Sequence, residues 1–322
     1  MRNFSAVRNC RVKYVVEVSE DRRKFVDSSY PKTRAIEELK LAMKDPEVNA
    51  LIIATPATSH FAIAKQALEC GKHIFVEKPL AMSVVEVDAL ISLAEKRELT
   101  VMAGHTFLYN AAVDYLRKLV ASGELGKIYY LYAQRLNLGV IRSDVNAMWN
   151  LAPHDISILM HVLGKKPLAV CATGTDCIQS GIEDVVFLNL QFPDRVQASI
   201  HVSWLDPNKV RKTTVVGSKK MAVYDDVADD KIAIYNKGID RLTPEMPFDE
   251  VTPQRLVHRA GDILLPRIEI EEPVKVEAAH FVDCILNRRP PVSGPQNARA
   301  VVAVLEAAHR SLKNRGCVVE VL

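Results

Sequence analysis

The first hundred residues alternate short apolar, β-favouring runs with amphipathic helical stretches, and that alternation admits little besides a parallel sheet with crossover helices. Val12 to Val18 reads as a strand. Arg34 to Lys44 carries Ile36, Leu39 and Met43 at helical spacing, and Ala50-Leu51-Ile52-Ile53-Ala54 is a fully apolar strand of the kind buried on both faces. A helix is expected from Ser59 to Cys70, with Ile63, Ala64, Ala67 and Leu68 on one face and Gly71 as its stop. His73 to Val76 is the next strand. It leads into Glu77-Lys78-Pro79, after which Ser83 and Glu86 have capping-box spacing at the head of a helix burying Val87, Leu90, Ile91 and Ala94. Glu77 and Lys78 therefore fall just past the carboxyl end of a parallel strand, where open α/β sheets bind their ligands.

From about Gly104 the pattern changes. After a helix near Ala112 to Ser122 come strand-like runs at Ile128 to Leu138, Leu168 to Ala172, Val185 to Phe192, Val196 to Ser203, Lys212 to Val216, Lys220 to Tyr224 and Lys231 to Tyr235. Strands in such succession make a large, mostly antiparallel open sheet, and Val196, Ala198, Ile200 and Val202 mark its apolar face. Helices follow, with Phe281 and Ile285 and then Ala298 to Leu312. The expected fold class is α/β: a parallel-sheet domain over 1–103 and an α/β domain over 104–322.

At 322 residues the chain can bury two ordinary cores. A net charge of +3, evenly spread, argues against nucleic-acid and membrane partners. No apolar run approaches the ~20 residues that span a bilayer, and Met1-Arg2-Asn3-Phe4 lacks the apolar core of a signal peptide, so a cytoplasmic protein is expected. The six cysteines show none of the tight pairs that zinc sites use, and no metal is expected.

A nucleotide-binding sheet of this kind opens with a strand, a Gly-x-Gly-x-x-Gly turn and a helix, yet the first glycine here is Gly71. Met1 to Ala6 reads as the tail of that first helix. The expectation is an N-terminally incomplete domain with two unpaired strand edges, from a shortened gene model or from a remodelled cofactor site.

Glu17, at the end of the first strand, suits the ribose hydroxyls of NAD and disfavours the 2′-phosphate of NADP; a solvated strand-end acid is the plainer reading. Thr55-Pro56, with His60 at the next helix start, could lie along a dinucleotide or form an ordinary turn. Lys78 would stabilise charge developing on a hydroxyl oxygen, against the plainer reading of a surface Lys-Pro turn. His154-Asp155, read at a helix start, offers a proton shuttle or a cap.

Taken in order, Ala54-Thr55-Pro56 with His60, Glu77-Lys78-Pro79, Gly104-His105-Thr106-Phe107-Leu108-Tyr109-Asn110, Gly123-Glu124-Leu125-Gly126-Lys127-Ile128 and Pro153-His154-Asp155 resemble the Gfo/Idh/MocA oxidoreductases. Glucose-fructose oxidoreductase and inositol dehydrogenase are familiar members. The resemblance, which runs from about Met1 to the end, implies a Rossmann domain and reversible NAD(P)-linked oxidation of a sugar, nucleotide-sugar or cyclitol hydroxyl. It also implies that Lys78 binds the reacting hydroxyl, that His154 is the acid/base, and that the two meet beside a nicotinamide ring. The family has an aspartate four residues before that histidine, where this chain has Asn150. An amide supplies no charge to a coupled lysine–histidine relay, so a catalytically degenerate homologue serving sugar binding or assembly is the alternative.

Arg135, Asn137 and Arg142 are polar groups expected near the cofactor cleft, suited to a carboxylate or phosphate on the substrate or else exposed strand-end charges. Tyr109, in the family-like stretch, is a further substrate candidate. The second face of the open sheet is expected to join copies of the chain into a homodimer or homotetramer.

Overall fold

The computed structural model describes residues 1–241 and 256–322. The opening residues form a short helix, α1 (Arg2–Ser5), as their reading as a helix tail implies. Tyr14-Val15-Val16 then forms β1 (Tyr14–Val16), and helix α2 (Glu20–Ser29) leads to β2 (Arg34–Ile36), which runs parallel to β1 with Val16 opposite Ile36. Arg34 to Lys44 is thus not one helix. Ile36, Leu39 and Met43 imitate a helical stripe, but Ile36 is buried as the end of a strand and only α3 (Leu39–Lys44) is helical. Pairing with β1 outweighs a weak local period.

Next come β3 (Ala50–Ile53), α4 (His60–Glu69), β4 (His73–Glu77), α5 (Val84–Lys96) and β5 (Val101–Gly104), the three strands forming a parallel sheet in the order β3-β4-β5. Gly71 takes φ +73° behind α4, and the Ser83 hydroxyl accepts the Glu86 N–H at the start of α5. Among the described residues β1 pairs with β2 alone and β3 with β4 alone, so each keeps one open edge. Val16 and Ile52 are exposed.

The second region opens with α6 (Ala111–Ala121) and β6 (Ile128–Leu138) and continues with α7 (Ala147–Leu163), β7 (Ala169–Thr175), β8 (Val185–Gln191), β9 (Gln197–Ser203), β10 (Leu205–Gly217), β11 (Met221–Asp225) and β12 (Ile232–Tyr235). A small antiparallel pair, β13 (Gly238–Arg241) and β14 (Leu256–Arg259), precedes β15 (Ile263–Leu264). Helices α8 (Pro273–Asn287) and α9 (Pro295–Lys313) and strand β16 (Val319–Glu320) close the chain. Among the described residues the large sheet has nine strands in the order β15-β12-β11-β10-β6-β9-β8-β7-β16, antiparallel throughout except where β6 runs with β9. Val186, Leu188 and Leu190 of β8 and Ala198, Ile200 and Val202 of β9 turn inward, and α7 packs on β6, β8 and β9. Tyr130, Tyr132 and Phe187 stay exposed, and Phe187 stacks on His201.

The chain divides into two units, residues 1–109 with 271–303 and residues 110–270 with 304–322. The boundary therefore falls six residues beyond that expected at 103/104, and α8 returns to the first unit. Its Phe281 meets Phe4 and Phe75 edge to face, with Met102 and Ala278 completing one apolar cluster.

Candidate active site

In the first unit, four strand ends present polar groups at the carboxyl edge of the sheets. Glu17 follows β1, and its N–H donates to Ile36 O at 3.0 Å. Its Oε1 accepts the Ser19 N–H at 3.0 Å and its Oε2 faces Arg22 at 3.4 Å, contacts that hold the carboxyl below its usual range, the Ser19 bond foremost. Glu17 is an anion at neutral pH. Thr55-Pro56 follows β3, and the Ser59 hydroxyl bridges Thr55 Oγ1 and Pro56 O, both at 2.7 Å.

His60 does not face outward. It is buried, with Nδ1 at 2.7 Å from Pro79 O and Nε2 at 2.8 Å from Thr55 O. Both partners are carbonyl acceptors, so the ring ties the turn after β3 to the turn after β4, fixing the segment that carries Lys78. Lys78 itself follows β4 directly and is half-buried.

At the end of β5, His105 is buried, with no hydrogen-bond partner on either ring nitrogen among the described residues. Burial, and secondarily the charge of Lys78, push its pKa down to about 4, so the ring is neutral. Thr106 donates to Glu277 Oε2 at 2.7 Å. Burial raises the Glu277 carboxyl to about 8, with Glu77 adding to the rise and the Thr106 bond opposing it. The Tyr109 hydroxyl, a substrate candidate from sequence, lies 3.0 Å from Ser293 Oγ and accepts the Ser293 N–H at 3.3 Å; its ring packs on His280 and burial raises its pKa strongly.

In the second unit, α7 begins at Ala147 rather than near His154. The reason is Asn146, whose Oδ1 accepts the Trp149 N–H at 3.0 Å and caps the helix, so Pro153 lies inside it. Asn150 and His154 stand one turn apart on the same face. Asn150 Oδ1 accepts the indole N–H of the buried Trp204 at 3.2 Å, and His154 O accepts the Ser157 hydroxyl at 2.8 Å.

The arginines are committed elsewhere. Arg135 shares the inward face of β6 with Leu131 and Ala133 and is 4% exposed, its Nε and Nη2 gripping the Asp155 carboxylate at 2.7 and 3.0 Å. Asp155, next to His154 in sequence, is held by Arg135. Arg142 forms a similar two-pronged pair with Asp144 at 2.8 Å, partly exposed. Asn137 is half-buried and its amide fills the space above Gly139.

Sequence reasoning missed Glu277 and used His105 and Thr106 only within a motif. One signal was available: Glu277, Phe281 and Cys284 share the buried stripe of α8, and an acid on an apolar stripe marks either a pair or a function.

The donor set fits NAD at two points: an ionised acid after β1 suits the adenosine ribose hydroxyls, and the orphaned nitrogens of His105 beside Glu77 and Lys78 offer polar groups to a nicotinamide. No group of three or more His, Cys, Asp or Glu side chains among the described residues is arranged to hold a metal ion, and no helix among them is long and apolar enough to cross a membrane.

Parallel strands with polar groups at their carboxyl ends, in one chain with a large open sheet backed by helices, are the pattern of a two-domain oxidoreductase of the NAD-binding Rossmann class. Residues 1–105 match the family model described as oxidoreductase family, NAD-binding Rossmann fold, and residues 113–223 match the GFO/IDH/MocA C-terminal domain. The chain belongs to the GFO/IDH/MocA oxidoreductase family. It is 29% identical over 264 residues to UDP-N-acetylglucosamine 3-dehydrogenase of Acidithiobacillus ferrooxidans, covering 81% of each chain. It is 20% identical over 312 residues to myo-inositol 2-dehydrogenase of Thermotoga maritima, covering 94% of this chain and 88% of that one. The crystal structure of GenD2 from gentamicin A biosynthesis in complex with NAD superimposes with a TM-score of 0.81 at 24% identity, over 99% of this chain and 91% of that one, and shares the fold.

Proposed function

We propose that this chain is a cytoplasmic NAD-dependent dehydrogenase that oxidises a secondary hydroxyl of a sugar, a nucleotide sugar or a cyclitol. The observation that carries the reading is Glu77-Lys78 leaving the carboxyl end of β4 beside His105 at the end of β5, in a chain whose two regions both match the family. NAD, when bound, supplies the hydride acceptor. Glu17 binds the adenosine ribose, and the Thr55-Pro56 turn and Glu77 line the rest of the dinucleotide. Lys78 holds the reacting oxygen and stabilises its developing charge. His154 takes the hydroxyl proton, and Asn150 keeps His154 on a helix face anchored by Trp204. Arg135 is engaged with Asp155 inside the sheet and Arg142 with Asp144 at a partly exposed position, so a substrate anion would reach Arg142 only by displacing Asp144.

Absorbance of reduced nicotinamide, followed with a panel of nucleotide sugars and inositols, tests the reading. Turnover on at least one of them that is lost in Lys78→Ala and in His154→Ala supports it. Binding of NAD without turnover on any, unrescued by Asn150→Asp, favours the degenerate homologue. The exposed face carrying Tyr130, Tyr132 and Phe187 supports the accompanying proposal of a homodimer or homotetramer, which a monomeric mass by light scattering would overturn.

A further inference from the structure

Near the end of β4 lies a buried titratable group that the proposed reaction does not use, Glu277 of α8. Glu77 pairs with Gly104 across the β4–β5 register, and a Cβ on Gly104 would stand 3.0 Å from Glu77 Oε2, so the Glu77 carboxylate lies directly over that glycine. Two residues on, Thr106 Oγ1 donates to Glu277 Oε2. Glu277 comes from α8, is 1% exposed, and its Oε1 has no hydrogen-bond partner among the described residues. The strand β4 thus supplies Glu77 and then Lys78, the β5 end supplies His105 and Thr106, and α8 supplies Glu277.

We propose that Glu277 is a positioning residue for Glu77 and Lys78, acting through Thr106 and through the proton on its own carboxyl. With the proton on, Glu77 meets no like charge from α8 and lies flat over Gly104. With it off, two carboxylates crowd one turn, and their repulsion shifts Glu77 and with it Lys78. Burial and the Glu77 charge both favour the protonated form; the Tyr109 hydroxyl, which follows β5, also feels the Glu277 charge, and Lys78 and neutral His105 stand at the ends of β4 and β5. The inference rests on the proposed cofactor and substrate roles of Glu77 and Lys78.

Two readouts on the full chain separate the ideas. Infrared difference spectra, wild type minus Glu277→Gln, are expected to show a carboxylic-acid C=O band at neutral pH that disappears with a midpoint at about 8. Glu77→Gln should move that midpoint down and Thr106→Val should move it up, each by about one pH unit, because the first removes a like charge and the second a bond to the charged form. NADH binding, followed by its fluorescence, should weaken about tenfold in wild type across the same midpoint and stay flat in Glu277→Gln. Absence of the band, a midpoint indifferent to Glu77→Gln, or identical pH dependence of NADH binding in wild type and Glu277→Gln overturns the proposal. Should Glu277→Gln fail to fold, the Thr106→Val shift carries the test. A wild type that binds no NADH at any pH removes the dehydrogenase reading, and the response of the band to Glu77→Gln then decides the role of Glu277 alone.

Discussion

Replacing Glu277 by Gln should change how stability depends on pH between the carboxyl's unfolded and folded values, and His105, common to both proteins, sets where wild-type stability itself falls. The Glu277 carboxyl is raised from 4.5 to about 8 by burial. Between those values the folded state holds a proton that the unfolded state has released, so stability falls by about 1.4 kcal/mol per pH unit as pH rises. His105 is lowered from 6.5 to about 4, also by burial. Between those values the unfolded state holds the extra proton, and stability rises with pH at the same rate. The two slopes cancel from about 4.5 to 6.5 and leave Glu277 acting alone from 6.5 to about 8, a fall of about 2 kcal/mol. The amide introduced by Glu277→Gln has no proton to lose, so the variant should gain that amount relative to wild type over the same interval. Both tryptophans, Trp149 and Trp204, belong to the second unit, and indole fluorescence would report the wrong region. Urea denaturation read by hydrogen exchange of α8 (Pro273–Asn287) at pH 6.5 and 8 measures the right one. A stability difference between the two proteins that stays constant over that interval would refute a protonated Glu277.

Three further outcomes are expected. Lys78→Ala and His154→Ala should each lower turnover about a hundredfold or more while leaving the NADH dissociation constant within about threefold, and rapid turnover in either would remove that residue from the chemistry. Glu17→Ala should weaken NAD binding about tenfold and improve NADP relative to NAD, which paired titrations of the two cofactors measure. Arg135→Ala should destabilise the second unit by about 3–5 kcal/mol by leaving Asp155 buried and unpaired, whereas Arg135→Met with Asp155→Leu should recover much of it; urea midpoints by tryptophan fluorescence decide.

Long periodic elements were legible in the sequence, since alternation in β8 and β9 and the stripes of α4 and α5 are set by burial that the residues themselves announce. Short elements were not. β2 is three residues long, and its Ile36 joined a helical period by coincidence of spacing with Leu39 and Met43. The start of α7 was hidden because Pro153 reads as a first-turn residue, while the effective signal, Asn146 three residues before Trp149, requires knowing which way the asparagine turns. At the candidate site, Glu77 and Lys78 could be assigned to a strand end from local pattern alone. Arg135 could not be judged by its charge, although alternation with Leu131 and Ala133 already put it on the apolar face. His60 and Tyr109 looked like ligand groups because their partners, Pro79 O and Ser293, are distant in sequence. Glu277 stood out only as an acid on the apolar stripe of α8; its partner Thr106, on another element, was out of reach for the same reason.

The one parallel pairing in the large sheet among the described residues shapes how the chain must be assembled during synthesis. Strands β7, β8 and β9 succeed one another as hairpins and can pair as soon as each is made, but β6 finds its two partners only after β9 and β10 have left the ribosome. At about 5–20 residues per second, the nascent β6, with Tyr130 and Tyr132 on one side and Arg135 on the other, waits several seconds with both edges open. A translation pause placed between β6 and β9 lengthens that exposure, whereas one placed after β10 gives the strand time to close the sheet.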